Sequence, residues 1–344
     1  MTKGHSKQGA IQMKNTALTT RQAAPLSAVA TIEDVLALLD DWHTALDRSV
    51  LAGDITTATC STYRVGVDRF ITWANIRANL SVDFRQIDDW RAAMRTDGRS
   101  KGTINTWLAG LRSFYSWAVG AGRMAYDPTA GVKREKRSGA NQHHKRQPLT
   151  DREVRRVLAQ PDTDTIAGKR DYALLCLFVF NGPRTIEVHR ANVDDLQTKA
   201  GRMVLYVQGK GHADADDFTV ITNPDLEAAL HDWLAVRGND AGPLFTSLSN
   251  RSARGRLSLK AIRTIVKNYF RAAGVVQQDR APKTTHSLRH TAISNAIRHG
   301  APIQKVQSMA RHQSIDTTMI YFHEADRLEN PAEAAISYDD AGEE

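Results

Sequence analysis

The chain has 344 residues, enough for two domains with separate cores, and its 41% hydrophobic and 24% charged residues place it among globular proteins. Its net charge of +8 is unevenly spread: residues 1–30 carry four Lys/Arg and no acid, residues 324–344 carry a net of −7, and the body between them holds +11. The longest apolar run, Tyr172 to Phe180, is too short to cross a bilayer, the first 30 residues have no apolar signal core, and two distant cysteines without CxxC spacing argue against a disulfide framework or a cysteine-rich metal site. A soluble protein of the cytoplasm is expected, and a basic body points to a polyanionic partner, nucleic acid first.

Residues 1–30 are polar, small and basic, and read as a disordered tail. Helical periodicity begins at "TIEDVLALLDDWHTAL", where Ile32, Val35, Leu36, Leu39 and Trp42 share a face and Thr31 with Asp34 can cap the start. "TYRVGVDRFITWA" repeats the pattern with Tyr63, Val67, Phe70, Ile71 and Ala74. "DDWRAAMR" is a short third helix, and "KGTINTWLAGLRSFYSWAVGAG" a longer fourth that Gly120 and Gly122 end. Residues 31–130 therefore read as a small all-helical domain. Residues 131–148 follow without apolar period and read as an exposed basic linker. Its Lys133, Arg134, Lys136, Arg137, Lys145 and Arg146 are candidate DNA contacts.

A second domain is expected over residues 149–325. Thr150 and Glu153 form a capping box, and a buried helix covers 170–180. The period then switches to two, with strands at Met203 to Val207 and Phe218 to Ile221 around a Gly209-Lys210-Gly211 turn. Helices resume at 225–236, 258–273, 287–299 and 302–310, and again around Tyr321. Residues 326–344 form an acidic tail whose segment Pro331 to Ile336 is amphipathic.

Small motifs of the second domain matter together. In "NGPRTIEV", Pro183 suits the first position of a helix, which places Arg184 in a first turn beside free N–H groups, and Glu187 can hold its side chain. Lys210 sits at a hairpin tip able to reach into a groove. In "HSLRHT", His286 and Arg289 share a helix face. His286 and His290 have a zinc-like spacing, but there is no HExxH glutamate and no acidic third ligand, so His290 reads as a buried, hydrogen-bonded histidine. "ARHQSIDTTMIYFH" supplies His312 and, nine residues later, Tyr321.

Arg, Lys, His-x-x-Arg, His and Tyr in that order resemble the tyrosine recombinases of the phage-integrase and Xer type. "HSLRHT" resembles that family's H-x-L-R-H box, "NGPRTIEV" its T-G-x-R-x-x-E, "VQGKGHADADDFTVI" its G-K-G hairpin, and "ARHQSIDTTMIYFH" its closing L-G-H and tyrosine segment. The resemblance covers about residues 31–325 and implies a mainly α fold: a SAM-like helical core-binding domain, then a mixed α+β catalytic domain with a small antiparallel sheet. It also implies that Tyr321 attacks a DNA phosphodiester, leaving a 3′-phosphotyrosyl link and a free 5′-hydroxyl.

The chemistry fits these residue types. A phosphodiester is anionic, and planar guanidiniums such as Arg184 and Arg289 can pair with its non-bridging oxygens and stabilise the charge of the transition state. A phenol is a poor nucleophile at neutral pH until a cationic pocket favours its phenolate. His286 would take or return that proton, Lys210 would protonate the leaving 5′-oxygen, and His312 would contact the phosphate or order the tyrosine. Neither metal, cofactor nor ATP is implied, because arginines supply the positive charge and one ester replaces another.

The implied partners are double-stranded DNA bearing a specific recombination site, three further copies of the chain in a homotetramer on two duplexes, and accessory proteins; no membrane is implied. The tail is a candidate contact between protomers, and the location implied is the nucleoid. A type IB topoisomerase-like relaxase and a non-catalytic DNA-binding protein are the alternatives. The sequence departs from the family pattern at Pro183 and at Arg311, which stands where glycine is usual and adds a cation or crowds the pocket. It departs again in the hairpin, where Asp214, Asp216 and Asp217 stand in place of basic residues.

Overall fold

The computed structural model describes residues 30–76, 81–136, 147–209, 217–249, 255–275, 282–329 and 331–336. The chain forms two compact units, Met1–Arg137 and Ser138–Glu344.

The first unit runs β1 (Ala30–Thr31), α1 (Ile32–Leu51), α2 (Thr57–Ile76), β2 (Ser81–Val82), α3 (Phe84–Thr96) and α4 (Lys101–Gly120), with β1 antiparallel to β2. The capping box read at Thr31 is present: Asp34 N–H donates to the Thr31 hydroxyl at 3.1 Å, and Thr31 N–H to the Asp34 carboxylate at 2.8 Å. The four helices close on one apolar core containing Val35, Trp42, Phe70, Trp90, Leu108 and Phe114. Trp42 meets Phe114 edge-on at 5.5 Å, a favoured geometry for aromatic pairs. Helices α2 and α4 touch backbone to backbone, because a Cβ on Gly66 would lie 2.5 Å from the Trp107 carbonyl oxygen and one on Gly110 2.4 Å from that of Tyr63.

The expected linker does not begin at residue 131. Val132 is buried in the first unit's core, and its carbonyl accepts a hydrogen bond from Arg112 at 2.6 Å. Glu135 is also buried, exchanging hydrogen bonds with the Asn105 side chain at 2.8 and 3.0 Å and pairing with Arg91 at 3.3 Å. Residues 131–136 are thus tied to α3 and α4, while their Lys133, Arg134 and Lys136 face solvent. One apolar residue and one acid in a basic run set that docking, and the absence of a period hid it. Arg137, Lys145 and Arg146 lie outside the described residues, as do residues 1–29.

The second unit runs α5 (Asp151–Leu158), α6 (Ile166–Asn181), α7 (Thr185–Arg190), a 3-10 turn (Val193–Asp195), β3 (Leu196–Lys199), β4 (Arg202–Val207), β5 (Asp217–Val220), α8 (Pro224–Arg237), α9 (Leu259–Ala272), α10 (Thr285–Arg298), α11 (Ile303–Ala310), α12 (Ile315–Glu329) and a 3-10 turn at Ala332–Ala335. Leu174 to Val179 of α6 are all buried, the signature of a helix apolar all round at the centre of a core. The strands form an antiparallel sheet in the order β3-β4-β5, with Leu205 opposite Leu196 and Thr219. Sequence reading missed β3, "LQTK", because an exposed edge strand shows no apolar alternation. Asn181, at the end of α6, ties this sheet to the helical core by donating to the Thr219 hydroxyl at 2.7 Å and the Val220 carbonyl at 2.8 Å.

The expected architecture, mainly helical with a small antiparallel sheet in the second half, is the one observed. Helix α12 continues past residue 325 to Glu329, and the segment Pro331 to Ile336 is exposed, with a 3-10 turn at Ala332–Ala335.

Candidate active site

Helices α10, α11 and α12 pack on one another around a small apolar cluster of Ile293, Val306, Ala310 and Tyr321. This cluster fixes the tyrosine: Tyr321 is only 4% exposed. One side of its ring meets His290, itself buried, at 5.1 Å, and His312 lies nearly parallel to it at 6.2 Å and 13°. His286, one turn before His290 on α10, meets His290 edge-on at 4.6 Å and is exposed. His286, His290 and His312 therefore form a chain of rings with Tyr321. The His312 Nδ1 lies 2.8 Å from the hydroxyl of fully buried Thr318, a partner that sequence reading did not name.

Both arginines bond to carbonyls at the end of α11, and Arg289 also to one at the end of α6. Helix α6 ends at Gly182, whose left-handed φ of 57° is open to glycine without cost. Helix α11 ends in a Schellman turn: Arg311 N–H donates to the Ser308 carbonyl and His312 N–H to that of Gln307. The carbonyls left over at such ends are strong acceptors that favour cations. Arg289 takes two of them, Gly182 O at 2.7 Å and Ala310 O. Arg184 takes the next, donating to Arg311 O at 2.7 Å, and pairs with Glu187 at 2.8 Å. Each guanidinium has five N–H donors, so these contacts fix both side chains and still leave donors on each.

Arg184 is not in a first helical turn, as the motif reading had it. It is the N-cap of α7, with extended φ −71° and ψ 148°, and Pro183 precedes the cap. An extended residue ahead of the helix lets the side chain point back toward α11. Arg184 N–H donates to the Glu187 carboxylate at 2.7 Å.

Glu187 has a fully buried side chain and bridges Arg184 and Arg311, the latter at 2.7 Å. Burial alone would raise its pKa; the charge of Arg311 and the hydrogen bonds from Arg311 and Arg184 outweigh this and hold it below the usual carboxylate range. Arg289, 2% exposed, is lowered to about 10, first by burial and then by the nearby charge of Arg184, and remains protonated at neutral pH. The extra cation Arg311 is thus turned onto Glu187.

Lys210 lies outside the described residues. The carbonyl of Gly209 before it accepts a hydrogen bond from Arg190 at 2.8 Å, which anchors the hairpin base to the end of α7. The start of α10 is anchored as well: Lys283 pairs with the Glu153 carboxylate at 2.6 Å, and Leu149 N–H donates to the Thr291 hydroxyl at 2.8 Å. Glu153 and Leu149 stand far from the motifs in sequence. Lys260, Arg263, Lys267 and Arg271 form an exposed basic stripe along α9, and the last three, with Lys283 and Thr284, line a cleft of about 630 Å³ leading to the start of α10. In the first unit, Arg69 and Arg99 sit over the Trp107 ring at 5.8 and 5.6 Å.

Comparison with known proteins agrees with this geometry. Residues 147–327 match the Phage integrase family, and residues 51–122 match the Phage integrase N-terminal SAM-like domain. A tyrosine recombinase of Synechococcus elongatus is 31% identical over 235 residues, covering 67% of this chain and 70% of that protein. Tyrosine recombinase XerC of Thermodesulfovibrio yellowstonii is 29% identical over 274 residues, covering 77% and 85%. Among solved structures, the XerH site-specific recombinase bound to a palindromic difH substrate superposes with a TM-score of 0.65 at 21% identity, covering 90% of each chain. A lambda integrase dimer bound to a COC′ core site superposes with a TM-score of 0.62 at 16% identity, covering 86% of this chain and 77% of that one. At these identities the two structures establish the shared fold. With the family match spanning more than half the sequence, the chain belongs to the phage integrase family of tyrosine recombinases.

Proposed function

We propose that the chain is a site-specific DNA recombinase that cuts and rejoins strands through a 3′-phosphotyrosyl intermediate, without metal, cofactor or ATP. The observation that carries this reading is that Arg184 and Arg289 both bond to carbonyls at the end of α11, beside a tyrosine whose ring contacts His290 and His312. Two cations held this close favour an anion between them, and planar guanidiniums suit a phosphodiester.

In the proposed reaction the Tyr321 Oη attacks phosphorus, the bond to the 5′-oxygen breaks, and the strand end becomes a phosphotyrosyl ester. The phenolic proton passes to His286, and Lys210 protonates the departing 5′-oxygen. Attack by a 5′-hydroxyl from another strand reverses the steps, so one ester is exchanged for another. Arg184 and Arg289 neutralise the non-bridging oxygens, His312 orders the tyrosine or contacts the phosphate, and Glu187 and His290 support them. The ring packing around Tyr321 limits the freedom its hydroxyl would otherwise lose on reaching phosphorus.

The basic stripe of α9, the Arg69–Trp107–Arg99 cluster and Lys133, Arg134 and Lys136 are proposed to track DNA, with Arg137, Lys145 and Arg146 continuing that surface. Two segments joined through a basic stretch would grip one site, and four copies on two duplexes would exchange strands. A partner contact through the residues after 325 is part of the same reading. Native mass measurement of the chain with paired cognate duplexes tests the stoichiometry; a 1:1 chain-to-duplex complex alone would count against it.

A nicked duplex carrying the cognate site, found as an inverted repeat with a short spacer, should trap an adduct that survives denaturant and forms in EDTA. Tyr321→Phe should form none. An adduct with that variant refutes the nucleophile, and loss of the wild-type adduct in EDTA refutes the metal-free mechanism.

A further inference from the structure

The residue that departs furthest from backbone preference near the site is Arg311. Its φ of 53° and ψ of 49° are left-handed, and it is one of two non-glycine residues with positive φ among those described. An L residue with a side chain sits there at a cost that glycine would avoid. Something else must hold an arginine at this turn, and its contacts show what. The side chain is 7% exposed and reaches the Glu187 carboxylate at 2.7 Å, with a further bond to Met309 O at 3.0 Å. Its carbonyl accepts from Arg184. One residue thus touches Arg184 through its backbone and the anion that holds Arg184 through its side chain.

We propose that Arg311 is a positioning residue: its guanidinium keeps the buried Glu187 ionised and in place, and Glu187 in turn aims Arg184 at the scissile phosphate. Arg184 alone would leave Glu187 with a single, partly exposed partner; the Arg184 side chain is 32% exposed, that of Arg311 only 7%. The charged groups facing Glu187 are Arg184 from the start of its own helix, Arg311 from the end of α11, and Arg289 from α10. Arg311 makes both a charge and a hydrogen-bond contribution among them. Losing it would let burial dominate and shift Glu187 toward its neutral form.

This inference deepens the recombinase reading and rests on it. The decisive variant is Arg311→Gly, which keeps the carbonyl that Arg184 uses and relieves the left-handed backbone while removing the side chain and its guanidinium. If Arg311 serves merely as a helix cap, this variant should match or exceed the wild type. The positioning role predicts a single-turnover cleavage rate lowered about tenfold at pH 7, the size of one weakened charge-assisted hydrogen bond. It also predicts an acid limb in the rate profile moved to higher pH, and rescue to within about threefold by Arg311→Lys, which keeps the charge. In a Glu187→Gln background, where no ionised carboxylate is left to hold, Arg311→Gly should change the rate less than about twofold.

Wild-type rate and pH profile in Arg311→Gly overturn the proposal, as does an undiminished effect in the Glu187→Gln background. Thermal unfolding gives an arm independent of catalysis. Because the folded pKa of Glu187 lies below its unfolded value, its stabilising effect is present at neutral pH and lost as pH falls through the folded pKa. The melting temperature of Arg311→Gly relative to the wild type should therefore fall between pH 4 and pH 7. A difference that does not change with pH also overturns the proposal, even where no adduct forms and the recombinase reading itself has failed.

Discussion

Replacing Arg289 by lysine tests the central geometry, because it keeps the charge and removes the fork. Arg289 is 2% exposed and spans two helix ends, donating to Gly182 O at 2.7 Å and to Ala310 O. A lysine ammonium is a point charge that cannot bridge both carbonyls and also face a phosphate. One charge-assisted bond is lost and one buried carbonyl is left without a donor, a cost of about 2–4 kcal/mol to the folded second unit. For a unit of this size that is a fall in melting temperature of about 4–16 °C. The chemical step should suffer separately, by about a hundred- to a thousandfold, as when one preorganised donor to a developing charge is removed. Adduct formation on a saturating nicked duplex, measured in single turnover well below the variant's melting temperature, reads the second effect apart from the first. Cleavage within about threefold of the wild type, by a variant that also melts normally, would refute the claim that Arg289 acts as a fork.

Two further substitutions probe the scaffold. Lys283→Met removes the partner of the largely buried Glu153, whose carboxyl burial alone would raise but whose hydrogen bonds and charge contact with Lys283 hold below the usual range. The pair stabilises above the unfolded pKa of the carboxylate and loses that effect as pH falls through the folded one, so the variant should be destabilised by about 3 kcal/mol at pH 7 and progressively less toward pH 4. A destabilisation independent of pH in thermal melts would contradict the pairing. Gly110→Ala would place a Cβ 2.4 Å from the Tyr63 carbonyl oxygen, and backbone cannot yield as a flexible side chain would. It should cost the first unit about 1–3 kcal/mol, whereas Gly120→Ala, with nothing within 4 Å of its added Cβ, should be neutral or mildly stabilising. Equal melting temperatures for the two variants would show that α2 and α4 do not approach so closely.

The helices were legible because each carries its own period and its own punctuation. The Thr31 and Thr150 caps, the glycine stop after α4 and the stripe Ile104, Leu108, Leu111, Phe114 and Ala118 all stand in sequence as they stand in the structure. What stayed hidden depends on contacts between distant segments. Among the described residues, strand β3 pairs only with β4, and it shows no alternation of its own. The docking of residues 131–136 rests on Asn105, Arg91 and Arg112, none of which marks itself as a partner. At the site, motif spacing identified the residues, and the structure brings His286, His290, His312, Tyr321, Arg184, Glu187 and Arg289 around the junction of α7, α10, α11 and α12. No spacing rule could show that the two arginines bond to neighbouring carbonyls at the end of α11, or that Arg311 spends its charge on Glu187. Sequence suggested for Arg311 an added cation or a crowded pocket; it is an added cation, with its side chain paired to Glu187.

The same contacts explain how a site with several arginines can persist without DNA. Three guanidiniums, from Arg184, Arg289 and Arg311, surround a single carboxylate, so the cluster carries excess positive charge in a largely buried setting. Burial first, and then the charge of Arg184, lower the pKa of Arg289, and Glu187 offsets part of that. The carbonyls of Gly182, Ala310 and Arg311 offset part of it with fixed dipoles, which need no rearrangement when substrate arrives. The remainder is unfavourable until an anion enters. A phosphodiester between Arg184 and Arg289 would relieve it, and the positive charge that disfavours the empty site would then strengthen binding and favour ionisation of Tyr321. Any ligand that binds only the folded state stabilises it by mass action, so the second unit should melt at a higher temperature with cognate duplex. That gain should be largest at low salt, where the phosphate contacts are least screened, and smaller in Arg184→Ala, which removes one of the two cations the phosphate would meet.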